Sequence, residues 1–436
     1  MELHGTMKIN DRGVLEIGGI DTGELIADYG TPLLVIDEAG LRENIRHYTD
    51  AFARNYNNYR VLYAAKAFYN RTLFRIMQEE DAGIDVVSGG ELYTALEANF
   101  PPEDIFFHGN NKQTAEIQMA LENGVGCFVV DNSYEVELLE DMAKEKEVLV
   151  DVLLRLTPGI EAHTHEFIQT GQIDSKFGVG LAGGDAMKLV KDIIDREHLQ
   201  LQGLHAHIGS QIFEIDPYRR LVEVMFSFMK EIRNETGLIL RELDLGGGVG
   251  ISYVSEDDPP VIEDFIREIC DRVRLEAEKI DYPLPEIIVE PGRSVVGTAG
   301  TTLYTAGSIK QVPGMSKYIA VDGGMTDNIR PALYDAVYDA FVANKGNKEA
   351  TQVVTIAGKC CESGDILVKD AELPAVEPGD IIAITATGAY TYPMASNYNG
   401  IPRPAVILVN DGQAEVIIAR ESYADMIKND LIPEGY

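Results

Sequence analysis

Cysteine is scarce in this chain, and the four present, Cys127, Cys270, Cys360 and Cys361, include no C-x-x-C pair. That spacing argues against a zinc site and against a disulfide framework, and it fits reduced thiols. Positive charge is also in short supply. Lys and Arg total 37 against 71 Asp and Glu, a formal net charge of -34. Such a surface repels nucleic acid and anionic membranes, and any anion site within it must be assembled from local donors. Long apolar runs are missing as well. No stretch approaches the roughly 18 consecutive apolar residues of a membrane span. The segment Met1 to Lys8 carries no apolar core of a signal peptide. A cytoplasmic protein is the expectation. Neither an internal repeat nor a low-complexity segment interrupts the chain.

What is present suffices for more than one core. Apolar residues make up 45% of 436, and a chain of this length divides into two domains by default. From about residue 60 to residue 297 short apolar runs alternate with segments of helical spacing. The runs are Arg60–Ala64, Gly83–Val87, Asp104–Phe107, Gly126–Val130, Val148–Leu154, Gly203–Ile208, Leu240–Leu245 and Glu286–Glu290; Tyr134–Lys144 and Tyr218–Arg233 are typical of the helical segments. Eight such units match a closed (β/α)8 barrel in number and length. A doubly wound open sheet is the alternative, and it rarely carries so many consecutive parallel strands. Beyond residue 300 the pattern changes to strand-like runs with few helices: Ser316–Val321, Gln352–Ala357, Asp380–Ala386, Ala405–Val409 and Ala414–Ala419. Turn signals such as Pro378-Gly379-Asp380 and Asn410-Asp411-Gly412 separate them. The expectation is a barrel over residues 38–300 and an all-β sandwich or Greek-key domain from residues 1–37 and 301–436, with Val14–Ile17 and Leu33–Ile36 joining the latter.

In a (β/α)8 barrel the active site forms at the C-terminal ends of the strands. The first strand ends in Tyr63-Ala64-Ala65-Lys66-Ala67, the second in Asp85-Val86-Val87-Ser88, the third in His108-Gly109-Asn110-Asn111 and the fifth in Arg155. The sixth carries His205-Ala206-His207-Ile208-Gly209-Ser210, the seventh ends in Gly246-Gly247-Gly248-Val249-Gly250, and the eighth in Glu290-Pro291-Gly292-Arg293. Lys66 lies among small apolar residues, where desolvation lowers an amine's pKa and makes it a nucleophile for carbonyls; a lysine merely extended off a barrel rim is the plain alternative. The glycine run can bring backbone N–H groups close to a phosphate, and late barrel strands are a frequent phosphate site. Glu290 suits a pyridine nitrogen that must stay protonated, or alternatively a salt bridge to Arg293. His205 and His207, two apart on a strand, point to one side. With His163 and His165 they also raise a metal reading, but metal-dependent barrel hydrolases place such a pair on the first strand, where this chain has Lys66.

Taken together, Tyr63–Phe68 (YAAKAF), Asp85–Leu92 (DVVSGGEL), His163–Val179 (HTHEFIQTGQIDSKFGV), Gly203–Gln211 (GLHAHIGSQ), Asp244–Tyr253 (DLGGGVGISY), Glu290–Ser294 (EPGRS), Cys361–Asp365 (CESGD) and Gly388–Met394 (GAYTYPM) resemble the diaminopimelate decarboxylases, in order and over nearly the whole chain. These are enzymes of the pyridoxal-phosphate-dependent family with an alanine-racemase-like barrel. The resemblance implies pyridoxal 5'-phosphate as cofactor, no metal, and decarboxylation of meso-2,6-diaminopimelate to L-lysine and CO2, the last step of lysine biosynthesis. It further implies a homodimer with active sites shared across the interface.

By resemblance, Lys66 is the Schiff-base lysine, His207 stacks on the cofactor ring and Glu290 contacts its nitrogen, with Asp85 also at the cofactor. Gly247, Gly248, Gly292 and Arg293 line the phosphate, with Ser210 nearby. Arg293, Arg330 and Tyr334 contact substrate, Glu362 recognises its distal amine, and Tyr390 touches both cofactor and substrate. Cys361 is the proton donor, reaching the partner subunit's site; the residues alone do not choose between Cys360 and Cys361. Phe68 departs from the polar residue many relatives carry there. Related enzymes decarboxylate ornithine, arginine or carboxynorspermidine, but two arginines with Glu362 suit a far end bearing both carboxylate and amine. A catalytically silent relative would be expected to lose the lysine, cysteine or arginines, and an amino-acid racemase would lack the Cys-Glu-Ser-Gly-Asp segment.

Overall fold

The computed structural model describes residues 3–160 and 175–436; His163 and His165 lie outside them. The chain forms two compact units, one of residues 44–250 and 258–294, the other of residues 1–43, 251–257 and 295–436.

The first unit is a closed barrel of eight parallel strands. In order they are Tyr59–Ala64, Gly83–Val86, Ile105–Phe107, Cys127–Val130, Val150–Thr157, Leu199–Ala206, Glu242–Asp244 and Glu286–Val289. Each of the eight apolar runs read from the sequence is a strand here. The eighth strand closes on the first, with Ile287, Ile288 and Val289 opposite Tyr59, Arg60 and Val61. Runs such as Cys127–Val130 are buried throughout, as expected for strands covered on both faces. Leu62, Phe106, Cys127, Val129, Leu153 and Ile288 pack into one cluster contributed by five of the strands. The intervening helices are amphipathic, and three of them begin on side-chain caps. Asn70, Ser88 and Asn132 accept from Leu73, Glu91 and Glu135 N–H and start the helices Arg71–Glu79, Gly89–Glu97 and Ser133–Glu145. Such caps satisfy otherwise orphaned amides and fix where each strand-to-helix loop ends.

The second unit is built on a mixed sheet around the long strand Gly300–Gln311, which pairs antiparallel with Leu33–Asp37, Lys317–Val321 and Ile381–Ile384. Gln352–Ala357 runs parallel to Lys317–Val321 and antiparallel to Ile366–Leu373. On the other side Ala405–Asn410 lies parallel to Leu33–Asp37, so an N-terminal strand is built into a C-terminal sheet. The pattern reading does not mark Gly300–Gln311 or Ile366–Leu373. The first is rich in Thr and Gly rather than in large apolar residues, and the second carries Lys369-Asp370-Ala371-Glu372, a helix-like composition. Both are strands because cross-strand pairing and burial outweigh intrinsic preference. Among the described residues no helix is long and apolar enough to cross a membrane.

A buried lysine secures one rim of the barrel. Lys112 Nζ donates to Glu135 Oε1 at 2.6 Å, to the Val129 carbonyl at 2.8 Å and to the Gly109 carbonyl at 3.0 Å, tying the loop after the third strand to the fourth strand and its helix. Replacing one partner of such a pair leaves the other charge buried and uncompensated. Lys112→Met should therefore lower stability by about 3 kcal/mol, read as a shifted urea midpoint, and adding Glu135→Leu should recover part of the loss.

Candidate active site

Lys66 occupies a single 3-10 turn, Ala65–Ala67, directly after the first barrel strand. Its side chain is exposed while Ala65, Ala67 and Phe68 are fully buried. The turn is held at both ends: the Ala64 N–H donates to the Pro291 carbonyl at 3.1 Å, and the Tyr63 hydroxyl donates to the Phe68 carbonyl at 2.7 Å. The first of these bonds joins the Lys66 turn to the end of the eighth strand, where Glu290 lies. Phe68, the departure noted in the sequence, is a core residue here.

Glu290 is 6% exposed and meets two imidazoles. His205 Nε2 is hydrogen-bonded to Oε2 at 3.2 Å. His108 Nε2 lies 2.8 Å from Oε1 but outside hydrogen-bond geometry, which leaves Oε1 buried without a well-aligned donor among the described residues. Burial alone would push the Glu290 carboxyl up; His108 and His205 outweigh it and hold the group well below the usual carboxylate range. His205 is itself driven down to about 4 by burial, so at neutral pH it acts as a neutral N–H donor. The neighbouring acids shift the other way. Burial and the charge of Glu290 raise Asp85 to about 6 and push Asp244 well above the ordinary range. Neither oxygen of Asp85 has a hydrogen-bond partner among the described residues.

The glycine run leaves the seventh strand and is laced to the loop after the sixth. Ile212 N–H donates to the Gly248 carbonyl and Gly250 N–H to the Ile212 carbonyl, both at 2.9 Å. Here glycine is required. A Cβ on Gly247 would lie 2.1 Å from the Glu290 carbonyl oxygen, and Gly248, at φ +117°, would set one 2.4 Å from the Gly209 carbonyl oxygen. His207 lies just beyond the last residue of the sixth strand and is half-buried. Its Nδ1 accepts from Gly247 N–H at 3.3 Å, so the ring proton falls on Nε2. Burial and the charge of Lys66 push His207 well below its usual pKa. Arg293, 5% exposed, donates from Nε and Nη2 to Ser210 Oγ at 3.2 and 2.9 Å.

The barrel unit therefore gathers Lys66, Asp85, His207, Ser210, Gly247, Gly248, Glu290, Gly292 and Arg293 at its C-terminal rim. These groups fit pyridoxal phosphate on structural grounds: a buried carboxylate oxygen open to a ring N–H, a side-chain-free glycine cradle for a phosphate, and an exposed amine in the turn after the adjoining strand. Sequence reasoning placed His108 and Arg155 at this rim without giving them a role, and it passed over Asp244. Their common signal is position. His108 and Asp244 are respectively the first residue after one barrel strand and the last residue of another. His108, His205 and Glu290 are also the one described group whose atoms could converge on a metal ion.

The other sequence-derived candidates lie in the β-sheet unit. Arg330 is 7% exposed and enclosed by tyrosines. Its guanidinium carbon sits 5.8, 5.5 and 5.7 Å from the ring centroids of Tyr253, Tyr334 and Tyr390, and its Nε donates to the Tyr338 hydroxyl at 2.8 Å. It forms no ion pair among the described residues. Tyr390 has φ +60°, a left-handed conformation that a tyrosine adopts only under constraint. Cys361 is exposed, with its N–H donating to Asn399 Oδ1 at 2.6 Å. Cys360 is half-buried, its thiol pushed up to about 11 by burial and by Asp365. Glu362 is exposed, and its Oε1 accepts from Gly364 N–H at 3.2 Å.

Comparison with known proteins places the chain in a family. Residues 41–297 match the family described as pyridoxal-dependent decarboxylase, pyridoxal binding domain. The chain is 50% identical over 431 residues to the diaminopimelate decarboxylase of Bacillus subtilis, covering 99% of this chain and 98% of that protein. It is 48% identical to that of Staphylococcus aureus over 98% and 99% of the two chains. The crystal structure of diaminopimelate decarboxylase from M. jannaschii in complex with L-lysine superposes with a TM-score of 0.92 at 37% identity, over 99% of each chain. Full-length identity at this level, with the same fold and a matching family over the barrel, means that the chain belongs to the diaminopimelate decarboxylase family of pyridoxal-dependent decarboxylases.

Proposed function

We propose that the chain removes the α-carboxylate of meso-2,6-diaminopimelate to give L-lysine and CO2, with Lys66, Glu290 and Cys361 as the groups the chemistry depends on. The observation that carries the substrate reading is Arg330, a buried guanidinium among four tyrosines with no carboxylate paired to it in the described residues. A permanently charged group desolvated in this way favours an incoming anion. Diaminopimelate has a second carboxylate to offer, whereas ornithine and arginine have none at the far end.

Bound pyridoxal phosphate supplies an electron sink for the bond that carbon dioxide leaves behind. The chain supplies the rest. Lys66 Nζ would hold the cofactor's aldehyde carbon. Glu290 Oε1 would accept the ring N–H and keep that nitrogen protonated. His207 would cover one face of the ring, with Asp85 beside it. Gly247, Gly248, Gly292, Ser210 and Arg293 would bind the phosphate. At the far end of the substrate Arg330 and Arg293 would pair with the distal carboxylate, Glu362 with the distal amine, and Tyr334 and Tyr390 would close around them. Cys361 Sγ would deliver a proton to the α-carbon as a general acid. Its exposure in this chain is compatible with service in the site of a second copy, which would make the working form a homodimer with shared sites. We assign the enzyme to the cytoplasm, in keeping with its acidic composition and reduced cysteines.

Four substitutions test the assignment. Lys66→Ala should abolish the absorbance band of lysine-bound cofactor; retention of that band would remove Lys66 from the account. Cys361→Ala should lower kcat for CO2 release by about 100-fold or more while Cys360→Ala stays within about threefold of wild type; the reverse order would reassign the proton donor. Arg330→Met should raise KM for diaminopimelate by about 100-fold and narrow the preference over ornithine. An enzyme that turned over ornithine faster than diaminopimelate would overturn the substrate reading.

A further inference from the structure

A carboxylate that must hold the proton of a ring nitrogen has two equivalent oxygens and a terminal bond about which they exchange. At Glu290 that freedom is restricted from one side. His205, 1% exposed, reaches Oε2 from the sixth strand, and its other ring nitrogen, Nδ1, has no hydrogen-bond partner among the described residues. An imidazole with a carboxylate at Nε2 and nothing at Nδ1 carries its proton on Nε2 and donates it. The second carboxylate oxygen, Oε1, accepts no hydrogen bond of good geometry among the described residues, although His108 Nε2 stands 2.8 Å from it. The ionisable groups around the pair include Asp85 on the second strand, His108 after the third, Arg155 on the fifth, His207 after the sixth and Asp244 on the seventh. Asp244 Oδ1 is already engaged by Gly246 N–H at 2.8 Å.

We infer that His205 is a positioning residue for the ring-nitrogen contact: its Nε2–H fixes Oε2 of Glu290 and thereby reserves Oε1 for the cofactor's N–H. The inference rests on the pyridoxal phosphate reading of the rim, but not on the identity of the substrate. It also accounts for the His108–His205–Glu290 group without a metal. Zinc bonds of about 2.0 Å in tetrahedral array hold ligand atoms about 3.3 Å apart, whereas His108 Nε2 and Glu290 Oε1 stand 2.8 Å apart in direct contact.

The test is a binding cycle on the apo-protein. Wild type, His205→Ala and His205→Gln are titrated with pyridoxal phosphate and with an analogue in which C–H replaces the ring nitrogen, following the quenching of tyrosine fluorescence. Affinity for pyridoxal phosphate should fall about tenfold in His205→Ala and return most of the way in His205→Gln, whose amide can donate to Oε2. The analogue should bind wild type and His205→Ala within about twofold of each other. Equal losses for both cofactors would reduce His205 to a packing residue and overturn the inference, as would an undiminished affinity of His205→Ala for pyridoxal phosphate. Thermal unfolding of each apo variant confirms folding; if His205→Ala does not fold, His205→Leu fills the space without a donor and carries the same two outcomes. Because no diaminopimelate is present, a wrong substrate assignment leaves this result untouched. An apo-protein that binds no pyridoxal phosphate would overturn the cofactor reading and this inference with it.

Discussion

The site depends on a carboxylate that remains ionised out of contact with water. Burying an isolated anion costs far more than a folded domain can supply, and the usual escape is for the group to take up a proton. Glu290 avoids this because two imidazoles face it, one of them in a formed hydrogen bond. Burial and the charge of Glu290 itself act the other way on Asp85 and Asp244, which are pushed towards their neutral forms. One barrel mouth therefore holds three acids in unlike states, and the difference arises from their neighbours rather than from residue type. That asymmetry is what a pyridine nitrogen requires: one fixed negative charge at short range, with no competing charges of equal strength.

Around this core, the barrel brings distant sequence segments together through backbone contacts. The bond from Ala64 N–H to the Pro291 carbonyl sets the Lys66 turn against the end of the eighth strand. Gly247 is glycine because the carbonyl of Glu290 occupies the space where its Cβ would be. Amine, acid and glycine loop are thus parts of one set of strand-end contacts. The β-sheet unit holds groups of another kind: a buried arginine in a cage of tyrosines, and a pair of cysteines of contrasting exposure.

Much of this was legible in the sequence, for identifiable physical reasons. The barrel strands are continuous apolar runs separated by segments of helical spacing, so periodicity and turn chemistry point to the same eight elements. Lys66, the glycine run and Glu290 stand out because polar or side-chain-free residues interrupt apolar strands at their C-terminal ends. The strand Gly300–Gln311 is obscured by its threonines and glycines, and Ile366–Leu373 by a charged stretch that reads as helix. The partnership of His205 with Glu290 is hidden for a different reason. The two are 85 residues apart, and the sequence offers the nearby Arg293 as the simpler partner. Only barrel closure reveals that Arg293 donates to Ser210 while two histidines meet the acid.

The central claim concerns the proton on the cofactor's ring nitrogen, and nitrogen NMR reads that proton directly. In holoenzyme loaded with pyridoxal phosphate labelled with 15N at the ring, the account predicts a chemical shift in the pyridinium range at neutral pH, moving to the neutral pyridine range in Glu290→Gln. A neutral pyridine shift in the wild-type enzyme would contradict it.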